Sequence, residues 1–167
     1  MVAQLRAKPG GDAIPVTIGD FATARVEGRF SLAYLVFNTI GNLTTQDEQV
    51  ACFENVAAHL EPGGRFAIEV EVPALRRLPP GDRFRVFSGG ERRLGVDEFD
   101  VATQGLVSHY WSADGGKLSI PFRYVWPAEL DLMARLAGMA LRERWADWTR
   151  EPFAGESQKH VSVWQKP

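Results

Sequence analysis

Between Phe30 and Val72 the chain spells out a strand, a capped helix, a glycine turn and a second strand. Leu32, Ala33, Tyr34, Leu35 and Val36 make Phe30–Phe37 a nearly continuous apolar strand, the pattern of a parallel strand covered on both faces. Thr45 stands three residues before Glu48, the spacing of a capping box at a helix start. Val50, Phe53, Val56, Ala57 and Leu60 then recur at helical intervals and form one apolar face. Pro62-Gly63-Gly64 ends the helix, and Arg65–Val72 reads as the next strand. A strand, crossover helix and strand of this kind pairs its strands in parallel.

Ile14–Ile18 is a β-branched run closed by Gly19-Asp20, a strand whose Pro15 suits a start or an edge. From 79 to 126 the character changes to short segments divided by glycine and proline. Arg83–Phe87, Leu106–Trp111 and Lys117–Val125 read there as antiparallel strands, with Asp114-Gly115 as a hairpin turn. Pro127 opens a second helix with Leu130, Met133, Leu136 and Ala137 as its buried stripe, and Gly138 stops it. Leu141–Trp145 and His160–Gln165 are the last strands. The expected fold class is α/β: one domain over 1–167, a mostly parallel sheet with an antiparallel C-terminal hairpin, and an antiparallel β insertion over about 79–126. A length of 167 residues suits one core.

Composition narrows function by exclusion. The 19 basic and 21 acidic residues are mixed along the chain, giving a net charge of −2 and no nucleic-acid footprint. No apolar run approaches the roughly 20 residues of a membrane span. Met1–Gly11 has no apolar stretch after Arg6 and Lys8, so it does not read as a secretory signal. The single Cys52 cannot form an internal disulfide, and a cytoplasmic location is expected.

Four segments, in order, carry a resemblance: Gly19-Asp20-Phe21, Phe37-Asn38-Thr39-Ile40-Gly41-Asn42-Leu43, the Leu60-Glu61-Pro62-Gly63-Gly64 entry to a strand, and Tyr124–Leu130 followed by Ala137-Gly138. Together they resemble the Rossmann-like class I S-adenosylmethionine-dependent methyltransferases from their third strand onward. The glycine-rich E-x-G-x-G turn with which that family begins is not in this sequence, and Met1–Lys8 resembles the tail of the preceding helix. The resemblance thus implies a domain truncated at its N-terminus, with part of the cofactor site missing. It also implies roles for particular residues. Asp20 would bind the adenine amine of S-adenosyl-L-methionine, with Gly19 and Phe21 beside it. Phe37, Asn38 and Thr39 would offer backbone contacts to the methionine moiety. Asp20 and Asn38 are equally turn and cap residues, and Phe21 equally a core contact.

Ala67, Glu69 and Glu71 share one face of their strand. Two carboxylates at a strand's carboxyl end suit an amine acceptor or a general base, although Glu71 better suits an exposed place beside Arg76 or Arg77. His109-Tyr110-Trp111 and Arg123-Tyr124 would line an acceptor pocket or simply pack. Glu69, Tyr110 and Tyr124 are therefore the catalytic candidates. His59, His109, His160 and Cys52 show no metal-ligand spacing, and no nucleophile elbow occurs. Trp126, Trp145, Trp148 and Trp164 read as core or interface residues.

Two functions follow from the resemblance. One is a methyltransferase acting on an unidentified small molecule, with no nucleic-acid or membrane partner. The other is a non-catalytic scaffold that self-associates. In the family's sheet the first strand borders the fourth, so Phe30–Phe37 would be an open edge. A homodimer is then expected, paired across that edge or exchanging Ile14–Ile18.

Overall fold

A computed structural model describes all of residues 1–167. Its eight strands form two four-stranded sheets. The first runs in the order β1 (Phe30–Leu35), β2 (Leu60–Glu71), β8 (Lys159–Gln165) and β7 (Ala140–Trp145). The second is a meander of β3 (Phe84–Gly89), β4 (Arg93–Asp100), β5 (Gly105–Ser112) and β6 (Lys117–Arg123). A five-residue helix, α1 (Val2–Arg6), precedes them.

β1 and β2 pair in parallel across α2 (Gln46–His59), as the strand–helix–strand run requires. Both halves of the capping box form: Glu48 N–H donates to Thr45 Oγ1 at 3.2 Å, and Thr45 N–H donates to Glu48 Oε2 at 2.9 Å. α2 lays Cys52, Phe53 and Ala57 on the sheet. Phe53 meets Phe66 and Trp164 edge to face, with ring centroids 5.1 and 5.4 Å apart. Such contacts add to the large apolar area each ring buries. α3 (Pro127–Leu136) closes the same core with Leu130, Met133 and Ala134. Its first residue is proline, where a missing N–H costs nothing, and Gly138, at φ +75°, takes the left-handed turn beyond its end. No helix of the chain is long and apolar enough to cross a membrane.

Five expectations need correction. The first sheet is not mostly parallel: only β1 and β2 run together, while β8 and β7 are antiparallel, and so is the whole second sheet. Ile14–Ile18 is extended but unpaired, which leaves β1 as an edge strand of the sheet; Ile18 is 87% exposed. The apolar β1 is covered on one face only. Ala33 and Leu35 pack on the core, whereas Leu32 and Tyr34 remain 55% and 64% exposed. β4 was not expected as a strand at all. The α3 stripe uses Ala134 rather than Leu136, which points out of the last turn into solvent.

Candidate functional site

Beyond β1 the backbone leaves the sheet through Phe37 and Asn38, at φ +56° and +55°. A left-handed phenylalanine is a true outlier, since its Cβ crowds the carbonyl, and such strain persists only where neighbours enforce it. Here the neighbours are on β2. Asn38 N–H donates to Glu69 O at 3.3 Å, Glu71 N–H donates to Asn38 Oδ1 at 2.6 Å, and Phe37 N–H donates to Glu69 Oε2 at 3.3 Å. Thr39 Oγ1 donates back to Val36 O at 2.5 Å and closes the turn. The result holds the Phe37 ring 89% exposed at the carboxyl end of the sheet, where α/β folds bind ligands.

A cavity of about 880 Å³ opens above this end. Its floor is Phe37, Asn38 and Val70–Pro73, its side the β7–β8 connection, and its roof the inner face of the second sheet. That face is ordered in rows. Arg85, Asp97 and Ser108 are direct cross-strand partners on β3, β4 and β5, and form a polar band. Ser108 Oγ donates to Asp97 Oδ1 at 2.7 Å, and Arg85 Nη2 donates to Asp97 Oδ2 at 3.1 Å. Arg85 Nε is buried and has no partner. One step along the strands on one side lies an apolar row of Phe99, Leu106 and Phe122. On the other side Phe87 and Tyr110 stack edge to face at 5.5 Å. Phe87 is the unpaired residue of a β-bulge, and its ring fills the place of a side chain at Gly95, where a Cβ would fall 2.5 Å from the ring.

A buried network fixes the roof to the floor. Arg123, at the end of β6, donates to Gln49 Oε1 at 2.5 Å and Glu129 Oε1 at 2.7 Å. Gln104 and Gln46 also donate to Glu129, at 2.7 and 2.8 Å. Burial pushes the Glu129 carboxyl up, but the donors Gln104, Arg123 and Gln46 outweigh it and hold the group below its ordinary range.

Of the residues singled out in the sequence, Phe37, Asn38, Tyr110 and Tyr124 border the cavity, together with Glu71 and Arg123. Gly19, Asp20, Phe21, Thr39 and Glu69 do not. Asp20 caps a turn, its Oδ1 accepting from Ala22 N–H at 2.8 Å, and lies near Cys52 on α2. Burial first, and that carboxylate second, push the Cys52 thiol up to about 12, so it is no nucleophile. Phe21 packs on the core. Glu69 is turned to Phe37 N–H and Lys159, the latter at 3.8 Å. Burial and then Asp100 raise the Tyr124 phenol, which donates to Asp100 O, so it is no base at neutral pH. Arg76 does not reach Glu71; it bonds Gly155 O and pairs with Glu156 at 3.5 Å. His109 and Trp111 alternate with Tyr110 and lie on the outer face of the second sheet, His109 bonding Glu98 at 3.2 Å. Arg85, Asp97 and Ser108 escaped the sequence reading. Only the register of three strands brings them together, and the one available signal was the alternation Gly95–Asp97–Phe99.

No protein-family model matches the chain. It is 27% identical over 155 residues to the cypemycin N-terminal methyltransferase of a Streptomyces species, covering 89% of this chain and 63% of that protein. Its fold superimposes on the CcbJ methyltransferase of Streptomyces caelestis with a TM-score of 0.84 and 35% identity, over 99% of this chain and 73% of that one. The amino pentose methyltransferase CalS10 of Micromonospora echinaspora, solved with S-adenosylmethionine, shares the fold at a TM-score of 0.62 and 18% identity, over 89% and 63% of the two chains. The chain belongs to the S-adenosylmethionine-dependent methyltransferases, with the class I fold. It spans somewhat under two thirds of the curated relative's length.

Proposed function

We propose that this chain takes part in methyl transfer from S-adenosyl-L-methionine to an amine of a small molecule seated in the cavity between the two sheets. The observation that carries the reading is that one cavity wall is the strained Phe37–Asn38 turn while the facing wall is a polar band between apolar rows. The cypemycin relative is by name an N-terminal methyltransferase and CalS10 an amino pentose methyltransferase, which supports nitrogen as the acceptor atom.

The residues present fit one flank of the cofactor. Phe37 offers an exposed ring and Asn38 a backbone already turned away from the ladder, while the Asp20 carboxylate keeps one oxygen free of its turn. When bound, the cofactor would supply an electrophilic sulfonium methyl, to which an acceptor lone pair bonds as the carbon–sulfur bond breaks and S-adenosylhomocysteine leaves as the neutral thioether. The chain's own work is then to orient and dry the acceptor, the main sources of rate in such transfers. Glu71, on the cavity wall and bonded to Asn38 through its backbone N–H, is proposed as the carboxylate that takes the proton the new ammonium sheds. A cytoplasmic setting belongs to the same reading, supported by the lone buried Cys52.

Calorimetric titration with S-adenosylmethionine and S-adenosylhomocysteine tests the reading. Binding near micromolar, about −8 kcal/mol, is the expected result; no heat at millimolar ligand overturns it. The open edge of β1, with Leu32 and Tyr34 exposed, favours a second reading in which the chain self-associates as a homodimer. Light scattering decides that reading, since a mass of 18.6 kDa at all concentrations removes it.

A further inference from the structure

The roof of the cavity is more selective than an acceptor pocket needs to be if it only excludes water. Inward-facing residues along a strand lie about 6.6 Å apart, so the two apolar rows stand roughly 13 Å apart with the polar band midway between them. Within the band the charges are already matched. Asp97 takes one hydrogen bond on each oxygen, from Ser108 and from Arg85, and each oxygen keeps a lone pair for a further donor. Arg85 Nε–H is a buried donor with no acceptor in the chain, an arrangement that folded proteins avoid unless a ligand or water completes it.

These features specify a chemistry. An anionic group gains little here, because the Asp97 carboxylate neutralises the guanidinium and would face the incoming charge. A hydrocarbon leaves the Arg85 donor unmade. A hydroxyl answers both atoms, accepting from Arg85 Nε–H and donating to Asp97, while the carbon skeleton that carries it lies against Phe99 and Leu106 on one side and Phe87 and Tyr110 on the other. Taking the cavity as the acceptor site, we propose that the Arg85–Asp97–Ser108 band determines acceptor specificity by binding a neutral hydroxyl of the acceptor, away from the nitrogen that receives the methyl. Asp97 and Arg85 touch the hydroxyl. Ser108 is a positioning residue that fixes the Asp97 rotamer through its 2.7 Å bond.

Three amines of one skeleton separate the possibilities: trans-4-aminocyclohexanol, cyclohexylamine and trans-4-aminocyclohexanecarboxylate. Each is titrated against the intact chain, with binding followed by saturation-transfer NMR. The hydroxyl compound is expected to bind at least about tenfold more tightly than either of the others, since a site built to pair with a hydroxyl rejects the analogue lacking it. Ser108→Ala and Asp97→Asn are expected to reduce the ratio of alcohol to cyclohexylamine affinity, the second abolishing the preference. Equal binding of the three probes, tighter binding of the carboxylate, no binding of the alcohol, or a preference that survives Asp97→Asn overturns the proposal. If Asp97→Asn does not fold by circular dichroism, the wild-type ranking and Ser108→Ala decide alone. Cofactor titration of the same sample keeps the two readings apart. Hydroxyl preference without cofactor binding sinks methyl transfer and leaves the band standing, whereas cofactor binding without hydroxyl preference sinks the band alone.

Discussion

Both sheets have four strands, yet they dispose of their inner faces differently. The first presses Phe66, Ile68 and Trp164 against Phe53 of α2 and Leu130 of α3, and the two polar residues buried on that face of β8, His160 and Ser162, bond to each other. The second turns Arg85, Asp97 and Ser108 toward a space of about 880 Å³ and fills only its margins with rings. Stability is therefore concentrated in one layer, and the other is the one proposed to carry recognition. The first layer has the chemistry of a core, and the second has the chemistry of a wall.

The largest effect separating them is expected from paired truncations. Phe53→Ala, deep in the first layer, should cost about 3–5 kcal/mol in urea unfolding. Phe99→Ala, whose ring already borders empty space, should cost about half as much, because little new cavity is made. Equal losses would break the distinction. Next in size is the joint between the layers. Arg123→Met leaves Glu129 buried with its charge unmatched, and should cost about 3 kcal/mol at neutral pH. Because Glu129 is held below its ordinary range when folded, its contribution is present above its unfolded value and fades as pH falls through the folded one. The variant should accordingly show a flatter loss of stability in acid than the parent.

Third comes His160, on β8. Its Nδ1 is bonded to Ser162 Oγ at 2.7 Å, and Arg144, Asp131 and Phe153 surround it. Burial, then the Arg144 charge, push its pKa down to about 4 against the partial opposition of Asp131. A histidine kept neutral when folded takes up its proton more readily when unfolded. Stability is thus complete above its ordinary value of 6.5 and is lost as pH falls from there toward 4, by at most about 3 kcal/mol. His160→Gln should flatten melting temperature over that window, and an unchanged slope would assign the loss to other groups. The smallest effect is expected on the outer face of the first sheet. Tyr34→Ser removes an exposed ring and should change the unfolding of a monomer by under about 0.5 kcal/mol. A larger, concentration-dependent change would show that the face is covered by a second copy.

The first layer was largely legible in the sequence because its signals are local. The Thr45–Glu48 pair is three residues apart, the α2 face repeats within a turn, and Pro127 and Gly138 bracket α3 in the positions their backbones prefer. What failed there was coverage. An apolar β1 states that its side chains tolerate burial, not that a second layer exists to bury Leu32 and Tyr34. Ile14–Ile18 has strand propensity and no neighbour, and propensity is weak without pairing. The wall was less legible. In β4 an inward aspartate and an outward valine reverse the usual pattern, so Asp97 and Glu98 together read as surface. Arg85, Asp97 and Ser108 are eleven or twelve residues apart and meet only when two ladders are in register, which no local window records.

The central place of β8 has a consequence for how the chain is made. All ladders of the second sheet lie between residues 84 and 123, so the meander can zip up as soon as that stretch has emerged from a ribosome. The first sheet has no such freedom: β2 is held on one side by β1 and must wait for residues 159–165 on the other, nearly a hundred positions later. Until then β7 has no partner, and the layer that Trp164 completes lacks its largest ring. The nascent protein therefore carries a finished roof over an unfinished floor, with Phe66 and Ile68 open to any sticky neighbour. In that interval the inner face of β2 is less covered than in the mature fold, and unpaired strands of this kind are where aggregation starts.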